Sequence, residues 1–387
     1  VTDASAERRE RVERARAAAN RGGGARRAYG RRAFHSVVLW LHRWVGIVAA
    51  LFLLVVAGTG AALVYADTFD RWLNPQLLVV RPGDAGAQPL PLDSLVAIAT
   101  RATIVRTPNT QPASVIIMPQ RADEAARVQF GFRHVFLDPV RGTVLGERGI
   151  GEAVMAQVRI LHHSLLVGRF GRLFTVGASW AAVLLALGGL WLWWPRRIWR
   201  VTRTRSWRGI NYDLHNITGL LGSVGTLLFA GSAVAMSLTD PLDRVYRATL
   251  GDAPNVVLAP PSARAVQPLP LDTLVARGVG QVPGALREVH LPKEPWGTVV
   301  LFKQTPGEYG QRARNRVWVD ANDGRIRGTL DQQQRPLGTR VAMRMEDWHV
   351  AAFTPTWSRW FGVLSCLLLA FGSVSGPLIW LKPRRRD

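Results

Sequence analysis

Residues 88–97 read QPLPLDSLVA and residues 267–276 read QPLPLDTLVA. The echo extends outward from this stretch in both directions. Leu41-His42 opens one apolar run and Leu214-His215 opens another. Asp70-Arg71 follows the first histidine by 28 residues, and Asp243-Arg244 follows the second by the same 28. Downstream, VFLDPVRG (135–142) is matched by VWVDANDG (317–324), and LHHSLLVGRFGR (161–172) by WHVAAFTPTWSR (348–359). Each of the last two leads into an apolar run that ends on Trp, Pro and arginines. The offset between equivalent residues drifts from 173 to 187, as loop insertions make it. The pattern predicts an internally duplicated chain with equivalent residues arranged around a pseudo-two-fold axis.

A formal charge of +22 raises nucleic-acid binding until the charge is located. Residues 1–43 hold eleven arginines, residues 196–208 six, and the last six residues one lysine and three arginines. Each segment abuts a long apolar run, so the excess reads as membrane topology and argues against a nucleic-acid partner. Cys366 is the only cysteine, which excludes an internal disulfide and a CxxCH haem attachment.

Four stretches, 44–66, 173–194, 217–238 and 360–381, each run more than twenty residues without a charged side chain. About 20 residues at 1.5 Å rise cover a hydrocarbon core of roughly 30 Å. The predicted class is an integral membrane α-helical protein with four transmembrane helices. A basic cytoplasmic tail covers 1–36, its first 30 residues mobile, with arginines that meet anionic lipid. Helix 1 covers 37–66 and an outer α+β segment 67–152. Helix 2 with an outer extension covers 153–196, and a basic cytoplasmic loop 197–210. Helix 3 covers 211–239 and a second outer α+β segment 240–340. Helix 4 with its extension covers 341–383, and a cytoplasmic tail 384–387. LDSLVAIATRA (92–102) and LDTLVARGV (271–279) have helical spacing with an Asp near the start, where it suits the helix dipole. Two spans per repeat give both repeats one orientation, so the pseudo-two-fold axis runs along the membrane normal.

Four of the eight histidines fall in repeat-matched pairs. His42 and His215 open spans one and three; His162 and His349 precede spans two and four. Symmetry about the normal holds each pair at one depth. Two opposed neutral imidazoles suit the axial positions of a haem iron, without covalent attachment. The expected cofactor is haem b, two per chain, each bis-His. Gly46 and Gly219 follow their histidines by four residues, where a missing side chain admits a flat macrocycle. Arg43, Arg169 and Arg172 are candidates to neutralise propionates. A zinc site fits less well, because neither pair has a third ligand at metal spacing. His163 stays open as an alternative to His162. His35 reads as a surface residue; His134 and His290 lie on outer strands, where a surface role is favoured over the alternative of a substrate contact. A straight second span would put His162 roughly 48 Å from the Trp194 end; bends at Gly168, Gly171 and Pro355, or intervening Trp180, Trp357 and Trp360, would shorten the electron path.

LHRWVGI (41–47), LHHSLLVGRFGR (161–172), DLHNITGL (213–220) and SGPLIWLKPRRR (375–386) resemble the PepSY-associated transmembrane proteins. This group includes iron-regulated membrane proteins and FoxB-like siderophore reductases. The resemblance covers the chain from about residue 34. It implies two small PepSY-like periplasmic domains and b-type haem on helix histidines, which here are His42, His162, His215 and His349. It further implies reduction of a ferric siderophore at the periplasmic face of a bacterial inner membrane; the basic flanks already predict that both termini are cytoplasmic. WHVAAFTPTW departs from the Gly-rich pattern that follows His162. No flavin or nicotinamide fingerprint supplies an electron donor.

The leading expectation is therefore an oxidoreductase that passes electrons through the lipid bilayer to a ferric siderophore or other metal chelate. The alternatives are a non-enzymatic PepSY scaffold or regulator of a periplasmic partner, and a transporter subunit. The chelate, the donor and the oligomeric state, a homo-oligomer included, are left open.

Overall fold

The computed structural model describes residues 3–81, 87–106, 111–202, 206–251, 256–263, 267–294, 297–307, 309–310, 312–354 and 356–380; for 1–31, 104–106, 239–240 and 243 no side chain is described. Pro355, the loop residues Arg203 and Arg205, and the terminal arginines lie outside the described residues.

The first half runs α1 (Asp3–Leu63), α2 (Ala66–Leu73), α3 (Pro75–Leu78), α4 (Leu92–Arg106), β1 (Ala113–Ile117), β2 (Ala126–Phe130), β3 (Arg133–Leu137), β4 (Val144–Gly149), α5 (Val154–Ser164) and α6 (Gly168–Trp193). The second runs α7 (Trp207–Ser237), α8 (Thr239–Leu250), α9 (Leu271–Val279), β5 (Ala285–His290), β6 (Thr298–Gln304), β7 (Asn315–Asp320), β8 (Ile326–Leu330), α10 (Leu337–His349) and α11 (Trp357–Trp380). Among the described residues, four helices are long and apolar enough to cross a membrane: Arg32–Leu63 within α1, then α6, α7 and α11. Leu51, Leu184, Leu221 and Leu367 are exposed along them, as lipid-facing side chains are. Small residues sit at the helix contacts. A Cβ at Gly225 would lie 1.9 Å from Ser365 Oγ, so these backbones meet as small residues allow in membranes. Because α1 begins at Asp3, the stretch expected as a mobile tail continues the helix.

The two outer segments build one sheet. Its order is β4-β3-β2-β1-β5-β6-β7-β8, antiparallel throughout, with β1 and β5 joining the halves. Val115 pairs with His290 and Ile117 with Glu288 across that junction. The strand order reads the same outward from the junction in either half. Strand β6 alternates buried and half-buried positions, the period-2 pattern of a sheet with one face on a core. Leu92 and Leu95 from α4 and Leu274 from α9 pack with Ile116, Val289, Leu301, Val317 and Val319 in a single core that crosses the junction. The two outer segments thus contribute to one sheet and share part of their core across the β1–β5 junction.

The second span is not one straight rod. Leu165 and Leu166 take left-handed φ of 49° and 62°, and Gly168 has φ 61°, a conformation that costs a side-chain-bearing residue energy. The chain reverses there. Thr175, seven residues into α6, donates to the His163 carbonyl of α5 at 2.7 Å, which collinear helices about 18 Å apart at those positions could not do. Gly171 makes the approach possible: a Cβ there would meet the Ser164 carbonyl oxygen at 1.7 Å. In the second half Ala351 has φ 55°, and Ser358 stands in place of the glycine. Its buried hydroxyl donates to the Ala351 carbonyl at 2.7 Å. The departure from the glycine pattern is therefore met by a hydrogen bond across the same break.

Candidate functional site

The bundle brings both sequence-matched histidine pairs together. At the end far from the sheet, His42 on α1 and His215 on α7 have ring centroids 6.4 Å apart, at 78°. At the sheet end, His162 on α5 and His349 on α10 have centroids 6.0 Å apart, at 50°. Two imidazoles bound trans to one metal at about 2.0–2.1 Å each would place their ring centroids about 6 Å apart. His162 faces His349, whereas the exposed His163 beside it lies near Arg159, Arg172 and Glu346.

Side chains and carbonyls from neighbouring helices fix the rings. His349 Nδ1 is 2.9 Å from the Phe229 carbonyl oxygen, which only accepts, so Nδ1 carries the proton and Nε2 holds the free lone pair. Thr59 donates its hydroxyl proton to the Val55 carbonyl at 2.6 Å and so accepts from His162 Nδ1 at 3.0 Å. The tautomer follows from the network: His162 too keeps Nε2 for a metal. His215 Nδ1 is 2.8 Å from Ser375 Oγ. His42 is the exception, with Nδ1 buried near the Leu185 backbone and no bond of normal geometry. None of these partners was singled out in the sequence, because Ser and Thr on apolar helices read as packing residues.

Glycines set how closely the helices pass the rings. A Cβ at Gly189 would lie 3.2 Å from His42, at Gly376 3.3 Å from His215, and at Gly60 3.2 Å from His162. The Gly188-Gly189 doublet was the available signal for the first. Gly46 and Gly219, the expected glycines, both line the space around the His42–His215 pair. A Cβ at Gly219 would meet nothing within 4 Å. That space, about 1230 Å³ counted out to its open mouth, is walled mainly by apolar residues such as Leu39, Ile47, Leu185 and Leu368. Arg43 reaches it with its guanidinium 4.2 Å over the Trp380 ring and with a buried Nε that has no hydrogen-bond partner. Arg169 and Arg172 are exposed on the first turn of α6.

Among the described residues no group of three or more His, Cys, Asp or Glu could hold a metal ion. Two imidazoles alone leave a metal short of ligands, whereas a porphyrin supplies the four that are missing. The donor set, the ring spacing and the open cradle at Gly219 fit a haem at the first pair. The spacing and the fixed Nδ1 groups fit one at the second.

The family model for the PepSY-associated TM region matches residues 39–382. The chain belongs to this family. The matched region contains the four paired histidines, all of α6, α7 and α11, and α1 from residue 39 onward. Comparison with curated proteins gave no match.

In this PepSY-associated chain the two histidine levels lie at different heights along the apolar part of α1, Arg32–Leu63. His42 and Thr59 are 17 residues apart, or about 26 Å along the helix. The reversal at Leu165–Gly168 accounts for the difference from a straight span, since it folds His162 back beside Thr59. Trp180, Trp357 and Trp360 lie exposed on the outside of the bundle. Phe52 and Phe174 stack between the levels, with centroids 5.4 Å apart at 6°. On the sheet, His290 Nε2 binds Glu288 at 2.7 Å and the ring stacks on Phe302. The His134 Nε2 is buried without a partner.

Proposed function

We propose that this protein carries electrons across a membrane between two bis-histidine haem b sites and delivers them to a ferric siderophore or similar metal chelate on the sheet side. The observation that carries the reading is the pair of histidine couples at opposite ends of one bundle, each near 6 Å between ring centroids. His42 and His215 hold the sheet-distal group, and His162 and His349 the sheet-proximal one. Bound there, haem b supplies a one-electron iron couple. The chain's part is to hold Nε2 lone pairs towards the metal, to keep water out with apolar walls, and to place Arg43 where a propionate needs a cation.

The electron count closes with a donor of the quinol or reduced-flavin class at the sheet-distal face. It gives up two protons and two electrons, and two ferric ions become ferrous. The ferrous ion leaves its chelator more readily, which is the use of the reaction. The arginine-rich flanks of the sheet-distal ends favour an orientation with that face in the cytoplasm and the sheet in the periplasm of a bacterial inner membrane. The matching element order and strand order of the halves favour a duplicated chain with its pseudo-two-fold along the membrane normal.

A visible spectrum of the purified full-length protein, with pyridine haemochrome and iron analysis, tests the reading. Two non-covalent haems per chain are expected. A colourless, iron-free preparation from haem-replete cells ends the proposal and leaves a non-enzymatic PepSY scaffold as the better reading.

A further inference from the structure

Helix α2 is turned inside out for a helix that packs on a water-facing domain. Phe69, Trp72 and Leu73 fall at i, i+3 and i+4, so they share one stripe. That stripe points outward: Trp72 is 75 % exposed, and Phe69 and Leu73 are 41 % exposed. The polar stripe points inward. Asp70 accepts two bonds from the Arg148 guanidinium of β4, at 2.8 and 2.7 Å, and Arg71 donates to the Asp123 carboxylate. A surface helix in water buries its apolar stripe and solvates its charges; α2 does the reverse.

Two further observations place the outward stripe at the edge of the bilayer. The apolar part of α1 ends at Leu63, three residues before α2 begins. Between them Tyr65 sets its ring 6.1 Å from that of Trp360, in the first turn of α11. Helix α2 therefore starts where two spans leave the hydrocarbon, and the exposed apolar surface of the spans runs on into it. Trp and Tyr collect at that boundary because one part of the ring is apolar and the other polar. The second half repeats the feature: Val245 on α8, 173 residues after Trp72, is also exposed.

We propose that α2 lies in the interface of the sheet-side leaflet, with Phe69, Trp72 and Leu73 in lipid, and ties the β4 edge of the sheet to the bilayer through Asp70 and Arg148. An amphipathic helix in such a position sinks its apolar face about 5–10 Å into the headgroup and acyl boundary. The inference rests on the four membrane spans and requires no haem. A second copy of the chain fits the stripe less well, since a specific protein interface takes about 20–30 residues a side and α2 offers three. Helix α2 also packs against α5, which carries His162. One short helix thus joins the bilayer boundary, the sheet edge and the sheet-proximal histidine pair.

Site-directed spin labelling tests the placement. Cys366→Ala removes the only cysteine, and Trp72→Cys then admits a single label. In full-length protein in phosphatidylcholine nanodiscs, that label should collide several-fold more with oxygen than with aqueous nickel–EDDA. A label at Phe132→Cys, on the exposed turn between β2 and β3, should show the opposite preference. An aqueous preference for the Trp72→Cys label overturns the inference. So does a label shielded from both relaxants and broadened by a second spin, since the stripe would then lie between two copies of the chain. Asp70→Ala should quicken hydrogen exchange in β4 while the Trp72→Cys label stays in lipid; unchanged exchange overturns the tie to the sheet. Haem does not enter these readouts, so their failure leaves the electron-transfer proposal standing, and a haem-free protein leaves this one standing.

Discussion

Asp93 and Asp272 cap each other's helices. The Asp93 carboxylate accepts from the backbone N–H of Leu271 at 2.8 Å, and Asp272 accepts from that of Leu92 at 2.9 Å. Each aspartate sits in the first turn of its own helix yet satisfies the first N–H of the other. Pro270, at the N-cap of α9, supplies no side-chain cap. The twin QPLPLD stretches therefore form one reciprocal lock at the junction of the halves.

Removing either carboxylate should cost about 0.5–2 kcal/mol, as loss of an N-terminal cap does. Asp93→Ala and Asp272→Ala should each lower the same unfolding transition of the outer sheet, because β1 pairs with β5 and one core cluster crosses the junction. Thermal unfolding with hydrogen exchange on β1 and β5 measures it. Protection lost in only one half would show that the halves unfold separately.

His42→Ala and His215→Ala should abolish the same part of the haem spectrum, with the remaining part like that of the parent. His162→Ala and His349→Ala should abolish the other. Low-temperature difference spectra of the four variants decide this, and the pairing fails if His42→Ala and His215→Ala affect different bands.

The hydroxyls that orient the rings should matter without touching metal. Thr59→Val removes the acceptor for His162 Nδ1, and Ser375→Ala removes the partner of His215. Loss of such an outer partner typically costs about 10–100-fold in metal affinity. Transfer of haem to an excess of apomyoglobin should quicken at the sheet-proximal site in Thr59→Val and at the distal site in Ser375→Ala. Equal rates in parent and variants would reduce these contacts to packing.

Two glycine substitutions should fail in different ways. Gly219→Leu has space for its Cβ but projects into the cavity around His42 and His215. It should give a folded, membrane-inserted protein lacking the distal haem. Gly171→Val collides with the Ser164 carbonyl and should lower yield and stability before any cofactor is counted. Size-exclusion profiles read beside haem stoichiometry distinguish the two.

Burial, with Arg127 and Arg148 adding to it, pushes the His134 imidazole down to about 4. Unfolded histidine titrates near 6.5. As pH falls from about 6.5 towards 4 the unfolded chain takes up a proton that the folded sheet refuses, so stability drops across that window. Above it the contribution is complete. The unfolding midpoint of the sheet should decline over this range in the parent, and less steeply in His134→Gln.

The four spans and both histidine couples were legible because each rests on a signal within one segment or on a repeat. Charge-free length marks a span, and the echo between the two halves of the sequence matches His42 to His215 and His162 to His349. The shared sheet was not legible, since nothing in ASVII or ALREVH says that these two strands pair with each other. Leu165 and Leu166 hid the helix reversal, because left-handed leucines leave no trace in composition; only Gly168 and Gly171 hinted at it. The Asp93 and Asp272 side chains read as ordinary first-turn acids, since a cap drawn from another helix cannot be seen in its own neighbourhood.

The reversal at Leu165–Gly168 separates two lengths that a straight helix would tie together. How far α6 reaches is a matter of bilayer thickness, whereas the depth of the sheet-proximal site depends on how α5 lies against Thr59. Inserting residues into α6 beyond Gly171 would lengthen the span and leave His162 opposite His349. A lineage moving to a thicker or thinner membrane can therefore adjust α6 without moving His162 away from His349.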